Sequence, residues 1–503
     1  MVMNINHLLD QTASERGVEV AMRLSAGEVT YAQFQEAVRR LARGLQSLGV
    51  NKGDRVAIML PNLPQFPIAF YAVLRLGAVA VPVNMMYKGR EASALLDDSE
   101  ARILIAWRGV WDELARPISY LNSLKQIILL GENLPEGTTS LTRLISTHKP
   151  LADIVDLEDD DPAVIQYSAG AAGALKGAEL SHGNLNSNVS ACREVLRITN
   201  QDLILATLPF FHPMGQTLLM HLGLLSGATL ELQPRVDAVA MRDALRRGTV
   251  TVFVGVPSMF KLIADTTGEE DPVPEKPVRL CVCGGGAISE DTLKVFEKRF
   301  ATYILECYTV SEASPVTSFN QWRAGRRVGS LGHPIPGVEM KVVDEKGRET
   351  AIGEVGEIVI KGSNIMRRYL NRPRLTAETL IDGWFHTGDL GKMDINGFFY
   401  LVERLGDRIL KGGFSIYPTE IECLLQCHPD VADVAVVGIP DEVWGESVKA
   451  CVVLKEGATV TTEQLAAYCL ERVAVYKVPS VIRFYKDLPR TSTGRIYRRD
   501  LKG

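Results

Sequence analysis

The chain is poor in cysteine: eight residues are scattered over 503 positions without paired, regular spacing. That excludes the disulfide framework of a secreted scaffold and suits reduced thiols in a cytoplasmic enzyme. Positive charge is not in excess, the formal net charge being -5. The clustered Lys and Arg that grip a nucleic-acid backbone are missing, so nucleic acid is not an expected partner. Long apolar runs are also missing. The most apolar window, Ile68 to Val83, is broken by Arg75, Gly77 and Pro82 and falls short of the ~20 residues that cross a bilayer, so it reads as a buried helix followed by a strand. The opening MVMNINHLLDQTASERG lacks the basic stretch and apolar core of a secretory signal. A cytoplasmic protein without a transmembrane segment is expected, with peripheral membrane contact and homodimerisation left open. Low-complexity sequence is absent, and 46% hydrophobic against 23% charged residues supply more than one packed core. Cys423, Cys427 and His428 could face one metal ion from a helix, joined by Cys281 and Cys283, but helical cysteines are small core residues and packing is the expectation.

What the sequence does contain is alternation. Residues 30–49 read as an amphipathic helix: Thr30 and Gln33 form a capping box, Phe34, Val38, Leu41, Leu45 and Leu48 recur at helical spacing, and Gly49 ends it. Apolar strands recur at 55–60, 103–106, 126–130, 163–167, 203–208, 229–232, 252–255 and 279–283 with helical segments between them. That rhythm indicates α/β layers with largely parallel sheets. After about Gly329 the texture changes to short strands between turn signals, as in EMKVVDEKGRE, GEVGEIVIKG and MDINGFFYLVE, which read as an antiparallel or barrel-like lobe. Beyond Arg404 a compact α+β unit begins. His182 reads as a cap for the next helix, and His221, on an apolar helix, as a core side chain.

Several stretches carry chemistry. In YSAGAAGALKGAELSHGN, residues 167–184, a buried strand enters a loop with Gly170, Gly173 and Gly177 around Lys176. Glycines let successive N–H groups turn toward one concavity and lysine adds a point charge, which suits a polyphosphate. In ECYTVSEASP, a strand delivers Tyr308, Ser311 and Glu312 to a loop, and these suit a purine face, a phosphate and Mg²⁺ respectively. GWFHTGDL carries Asp389, which suits two vicinal ribose hydroxyls. ERLGDRILKGGFSIYPTEIE carries Arg404, Asp407, Gly412 and Gly413, and LPRTSTGRIYRRDL carries a small-residue loop ending in Arg495.

In this order these stretches resemble the adenylate-forming superfamily of acyl-CoA synthetases, luciferases and carrier-loading adenylation domains, over nearly the whole chain. TYAQF, GVNKGDRVAIMLPN and LGAVAVPVN are similar to that superfamily's N-terminal motifs. The resemblance implies a large N-terminal domain of stacked α/β subdomains, residues 1–405, with the β-barrel-like lobe at about 330–405. A small mobile α+β domain, residues 407–503, follows a hinge near Gly406, and the active site lies between the two. The implied activity is ATP-dependent ligation of a small carboxylic acid to CoA through an acyl adenylate, with ATP, Mg²⁺ and CoA as cofactors.

The implied roles are specific. Ser168, Gly170, Gly173, Lys176 and Gly177 hold phosphates; Tyr308 packs on adenine; Gly285 and Glu306 belong to the nucleotide site, Gly285 also walling the acyl pocket; Ser311 serves phosphate and Glu312 binds Mg²⁺; Asp389 and Arg404 hold ribose. His212, Val256, Pro257, Cys307 and Thr309 line the acyl pocket, and Lys411, Gly412 and Gly413 the thiol tunnel. Lys176, Glu312 and Arg495 form the catalytic set.

The chain departs from the superfamily pattern. Hydroxyl positions of the glycine loop are Ala169, Ala171 and Ala172, and Leu175 replaces a proline. Lost hydrogen bonds to charge weaken phosphate holding by ~1.5–3 kcal/mol each. Arg495 replaces lysine, keeping charge but not ammonium geometry, so adenylation is expected to be slow. Gly406 occupies the hinge, and Cys307 and Thr309 replace glycines, which narrows the acyl pocket toward a medium-length or compact acid. A carrier-loading enzyme, a degenerate ligase acting as a binding protein and a luciferase-like oxygenase are the alternatives.

Overall fold

Runs of Val, Ile, Leu and Ala between helices make strands buried on both faces, and two such sheets form the large domain in this computed structural model. It describes residues 4–169, 175–268, 271–321, 325–404, 408–489, 496 and 498–502. The expectations for Gly170, Gly173, Gly406, Asp407 and Arg495 lie outside the described residues.

In the first, eight-stranded sheet, Arg55–Met59, Val79–Pro82, Ile103–Trp107 and Gln126–Leu130 run parallel. Pro162–Ala169 continues that direction and Leu175–Ser181 returns against it as a hairpin. A short segment of the β-rich lobe, Arg368–Tyr369, closes the edge by pairing with Ala178 and Glu179. In the second, nine-stranded sheet, Leu203–Ala206, Thr229–Leu232, Val252–Gly255, Leu280–Cys283 and Ile304–Thr309 are parallel. Val316–Phe319 then turns back beside Ile304–Thr309.

Helices cover the sheets through the stripes visible in the sequence. Tyr31–Ser47 carries the Thr30 and Gln33 capping box and buries Phe34, Val38, Leu41 and Leu45. Gln65–Arg75 is buried almost throughout, and even Arg75 is fully enclosed, bound by Asp10 at 3.1 Å and the Leu151 carbonyl at 3.2 Å. Helix His182–Leu196 is capped by the Ser181 hydroxyl, which accepts from the Asn184 N–H; His182 is therefore the first helical residue and not the cap. His221 is a core side chain, its Nδ1 2.8 Å from the Tyr71 hydroxyl.

The β-rich lobe is a five-stranded sheet in which Val338–Val343, Gly356–Gly362, Trp384–Met393 and Phe399–Arg404 are antiparallel. The small domain packs helices Pro418–Gln426 and Thr462–Leu470 on a second five-stranded sheet that includes Val431–Asp441 and Gly445–Leu454, around Ile416, Ile421, Leu425, Val436 and Val452. All eight cysteines are unpaired, and no cluster of three metal-ligating side chains occurs among the described residues. No helix among them is long and apolar enough to cross a membrane.

Candidate functional site

The ends of Pro162–Ala169, Leu175–Ser181 and Ile304–Thr309 meet the β-rich lobe and the small domain at one cleft. Ser168 lies opposite Lys176 in the hairpin register, and Gly177 opposite Tyr167. A Cβ on Gly177 would stand 2.7 Å from Ile165 Cγ2 and 3.0 Å from Tyr167, so packing admits only glycine there. The Lys176 ammonium lies 5.4 Å over the ring of Tyr369, and the Tyr369 hydroxyl donates to Glu312 Oε1 at 2.7 Å. The Glu312 carbonyl accepts from the Met366 N–H at 2.7 Å. Lys176 and Glu312, distant in sequence, are thus joined through a tyrosine that sequence reasoning missed. Only the pairing of residues 368–369 with the hairpin edge makes Tyr369 visible.

A second group forms around Asp389. Tyr308 is buried and its hydroxyl donates to Asp389 Oδ2 at 2.5 Å. Burial raises the Asp389 pKa, against the opposing pull of Arg408 and the Tyr308 hydrogen bond. The Arg408 guanidinium, supplied by the small domain, stands 3.9 Å from Asp389 and also interacts with Tyr417; neither Arg408 nor Tyr417 was singled out from sequence. The backbone of Arg404 lies opposite Asp389 in the lobe's ladder. The Glu306 carboxylate accepts from the Gly329 N–H at 3.2 and 3.0 Å and from Asn320 Nδ2 at 3.4 Å, so its side chain is held within the chain two residues before Tyr308.

Between these groups lies a cavity of about 90 Å³ lined by Gln166, Ser168, His212, Ser311 and Phe414. Gln166 is buried and donates to the Phe211 carbonyl at 3.1 Å. Burial pushes His212 down to about 4, against the opposing effect of its hydrogen bond to the Gly413 backbone, so the imidazole is neutral near pH 7. Its ring meets Phe414 edge-on at 6.2 Å. Next to Gly285, a Cβ on Gly284 would stand 2.5 Å from Cys307 Sγ and 2.8 Å from Met214 Sδ. Two sulfur atoms therefore fill the space beside that glycine, with Thr309 half-buried at the end of the same strand.

The small domain inserts its glycine pair into the cleft. Gly412 and Gly413 adopt φ of +57° and +86°, which side chains resist. A Cβ on Gly413 would meet Val256 Cγ1 at 2.6 Å, and one on Gly285 would stand 3.8 Å from Gly413 Cα. A second cavity of about 440 Å³ opens beside this contact, lined by Pro257, Gly285, Arg408, Gly412, Gly413 and Trp444. Lys411 is half-buried; burial lowers its pKa and Asp441 opposes that.

Residues 9–370 match the family described as AMP-binding enzyme, and residues 420–495 match the AMP-binding enzyme C-terminal domain. The chain is 33% identical over 526 residues to a long-chain-fatty-acid–CoA ligase of Bacillus subtilis, covering 99% of this chain and 94% of that one. It is 33% identical over 483 residues to a feruloyl-CoA synthase of an Amycolatopsis species, covering 96% and 95%. Among solved structures, o-succinylbenzoate CoA synthetase from Bacillus subtilis, a double mutant bound with the product analogue OSB-NCoA, superimposes with TM-score 0.88 at 28% identity, covering 98% of each chain. ATP-bound MatB from Rhodopseudomonas palustris gives 0.73 at 29% identity, covering 99% and 98%.

Proposed function

The chain belongs to the acyl-CoA synthetase family of adenylate-forming enzymes and ligates a carboxylic acid to CoA with ATP, and from this premise we propose that its acid is compact or of medium length. The observation that carries the proposal is the pair of sulfur atoms of Cys307 and Met214 closing the space beside Gly284, with the branched Thr309 nearby. A long acyl chain needs a continuous apolar channel, and packed interiors do not open one without displacing side chains. The two relatives, each 33% identical, are named for acids of opposite size, a compact aromatic one and a long chain, so the pocket wall carries the choice. The test is ATP-dependent CoA consumption on a panel from acetate through hexanoate, cinnamates and palmitate, each thioester identified by mass. The highest kcat/KM is expected with an acid of at most medium length; a clear maximum at palmitate would overturn the proposal.

For the first half-reaction, Lys176 and the N–H groups of the loop containing Gly170, Gly173 and Gly177 hold the ATP phosphates, aided by Ser168 and Ser311. Tyr308 packs on adenine, while Asp389 and Arg404 take the ribose hydroxyls. Glu312 suits Mg²⁺: Tyr369 fixes one of its oxygens, and one carboxylate is an ordinary protein share for an ion that arrives on phosphates. When bound, Mg²⁺ would offset the repulsion between carboxylate and phosphate anions. Lys176 and the cation at Arg495 add fixed positive charge where the α-phosphate is attacked.

For the second half-reaction, His212 and Val256 border the acyl group, and the half-buried Lys411 with Gly412 and Gly413 lines the approach of the thiol. The domains meet at a hinge near Gly406, about which the 407–503 unit turns between the two steps. The orientation described here, with Gly413 on Val256, is the thioester-forming one. The closer overlay on the synthetase holding a CoA product analogue supports that assignment. A reducing cytoplasm as the site of action is supported by the eight unpaired cysteines.

A further inference from the structure

A second contact between the domains is ionic and buried. Lys477 ends the turn Val475–Lys477 of the small domain and is only 3% exposed. Its ammonium donates to Glu91 Oε1 of the large domain at 2.6 Å and to Glu420 Oε1 of its own domain at 2.7 Å. The rings of Tyr87 and Tyr476 lie 4.9 and 5.8 Å from it. Burial alone would drive the proton off, but the facing Tyr87, Glu420 and Glu91 outweigh it and raise the pKa, so the charge is retained.

Glu91 is held ready for this contact. Its second oxygen, Oε2, accepts from the Lys88 N–H at 2.9 Å at the start of helix Gly89–Asp98, which fixes the side chain before the small domain arrives. The two carboxylates differ in what they do when the domains turn. Glu420 travels with Lys477, whereas Glu91 stays behind. Removing every partner of a buried charge is strongly destabilising; here one partner always remains, so the contact is specific to one orientation and yet releasable.

We propose that Glu91, Lys477 and Glu420 form a latch that selects the orientation in which Gly413 rests on Val256, making Glu91 a positioning residue for thioester formation that touches neither substrate. The assignment of a half-reaction to the latch rests on the acid–CoA ligase reading, whereas the latch itself is read from orientation alone. Glu91→Gln keeps an oxygen for the helix cap and removes the charge, leaving Lys477 paired with Glu420. Three measurements test it on the full chain. Pyrophosphate exchange reports adenylation, and single-turnover CoA consumption from preformed acyl adenylate reports thioester formation. Small-angle X-ray scattering of the unliganded protein reports domain orientation without any catalysis.

For Glu91→Gln the ratio of thioester formation to adenylation is expected to fall about tenfold, with scattering that departs from the orientation described here. Lys477→Arg, which keeps charge and reach, is expected to hold both near the unsubstituted values. Unchanged scattering with an unchanged ratio overturns the latch, as does a proportional loss of both half-reactions in Glu91→Gln. Absence of pyrophosphate exchange from the unsubstituted chain would instead fail the ligase reading, and scattering would still decide the latch.

Discussion

Tyr369 joins two charges that the chain must keep apart and yet close. Its ring lies under the Lys176 ammonium and its hydroxyl holds Glu312, so both are oriented before any nucleotide arrives. A hydrogen bond to a charged group is worth about 1.5–3 kcal/mol. Tyr369→Phe keeps the ring and loses that bond. Adenylation measured by pyrophosphate exchange is expected to slow by about 10- to 100-fold, with a higher half-saturating Mg²⁺ concentration and little change in melting temperature. Thr309 invites the opposite experiment. Thr309→Gly removes a branched side chain beside Cys307 and is expected to move the preferred acid toward longer chains by two or more methylenes, each worth about 0.8 kcal/mol when buried; an unchanged preference would mean that Thr309 does not border the acid.

At the scale of elements, what could be read from sequence was whatever depends on local pattern. The capping box at Thr30 and Gln33, the buried helix ending at Arg75 and the hydrophobic strands all declare themselves through periodicity, and the structure has each of them. The glycines at 412–413 were also legible, because backbone that turns to φ of +57° and +86° leaves few residues to choose from. Contacts made by pairing were not. Tyr369 reaches Glu312 because residues 368–369 pair with 178–179, and Arg408 reaches Asp389 because a whole domain is seated there; neither has a periodic signature. Glu306 sits two residues from Tyr308, and position alone could not tell that the Gly329 amide holds it. The Gly413 contact yields a prediction at this scale. Gly413→Ala places a methyl 2.6 Å from Val256 Cγ1 at φ +86°, so it is expected to lower thioester formation by about tenfold or more, since strained φ and overpacking each cost about 1–3 kcal/mol. Single-turnover CoA consumption checks it, and Val256→Ala, by making room, should recover part of the loss.

Across the whole molecule, three histidines are held neutral, His182 and His221 fully buried and His212 half-buried at the cavity. Burial pushes His182 down to about 4, His212 to about 4 and His221 to about 3. In the unfolded chain each titrates near its ordinary value of about 6.5. Between those values the unfolded state binds protons that the native state refuses, so stability rises with pH across that window and is lost as pH falls below about 6.5. Each histidine contributes a slope of up to about 1.4 kcal/mol per pH unit there. Urea midpoints measured from pH 7.5 to 4.5 are expected to decline, and replacing His221 by Gln should flatten the decline.

The strand Arg368–Tyr369 ties the β-rich lobe to the hairpin edge, and Glu179 accepts both Arg367 at 2.8 Å and Arg368 at 3.1 Å across the same seam. Exchange of modules between relatives is therefore constrained. A crossover falling between residues 181 and 366 would match one parent's hairpin with another's arginines and tyrosine, and the mismatch would register at Lys176 and Glu312. Crossovers ahead of residue 162 or after residue 370 keep that seam within one parent, and those are the boundaries at which hybrid enzymes built on this chain should remain competent to adenylate.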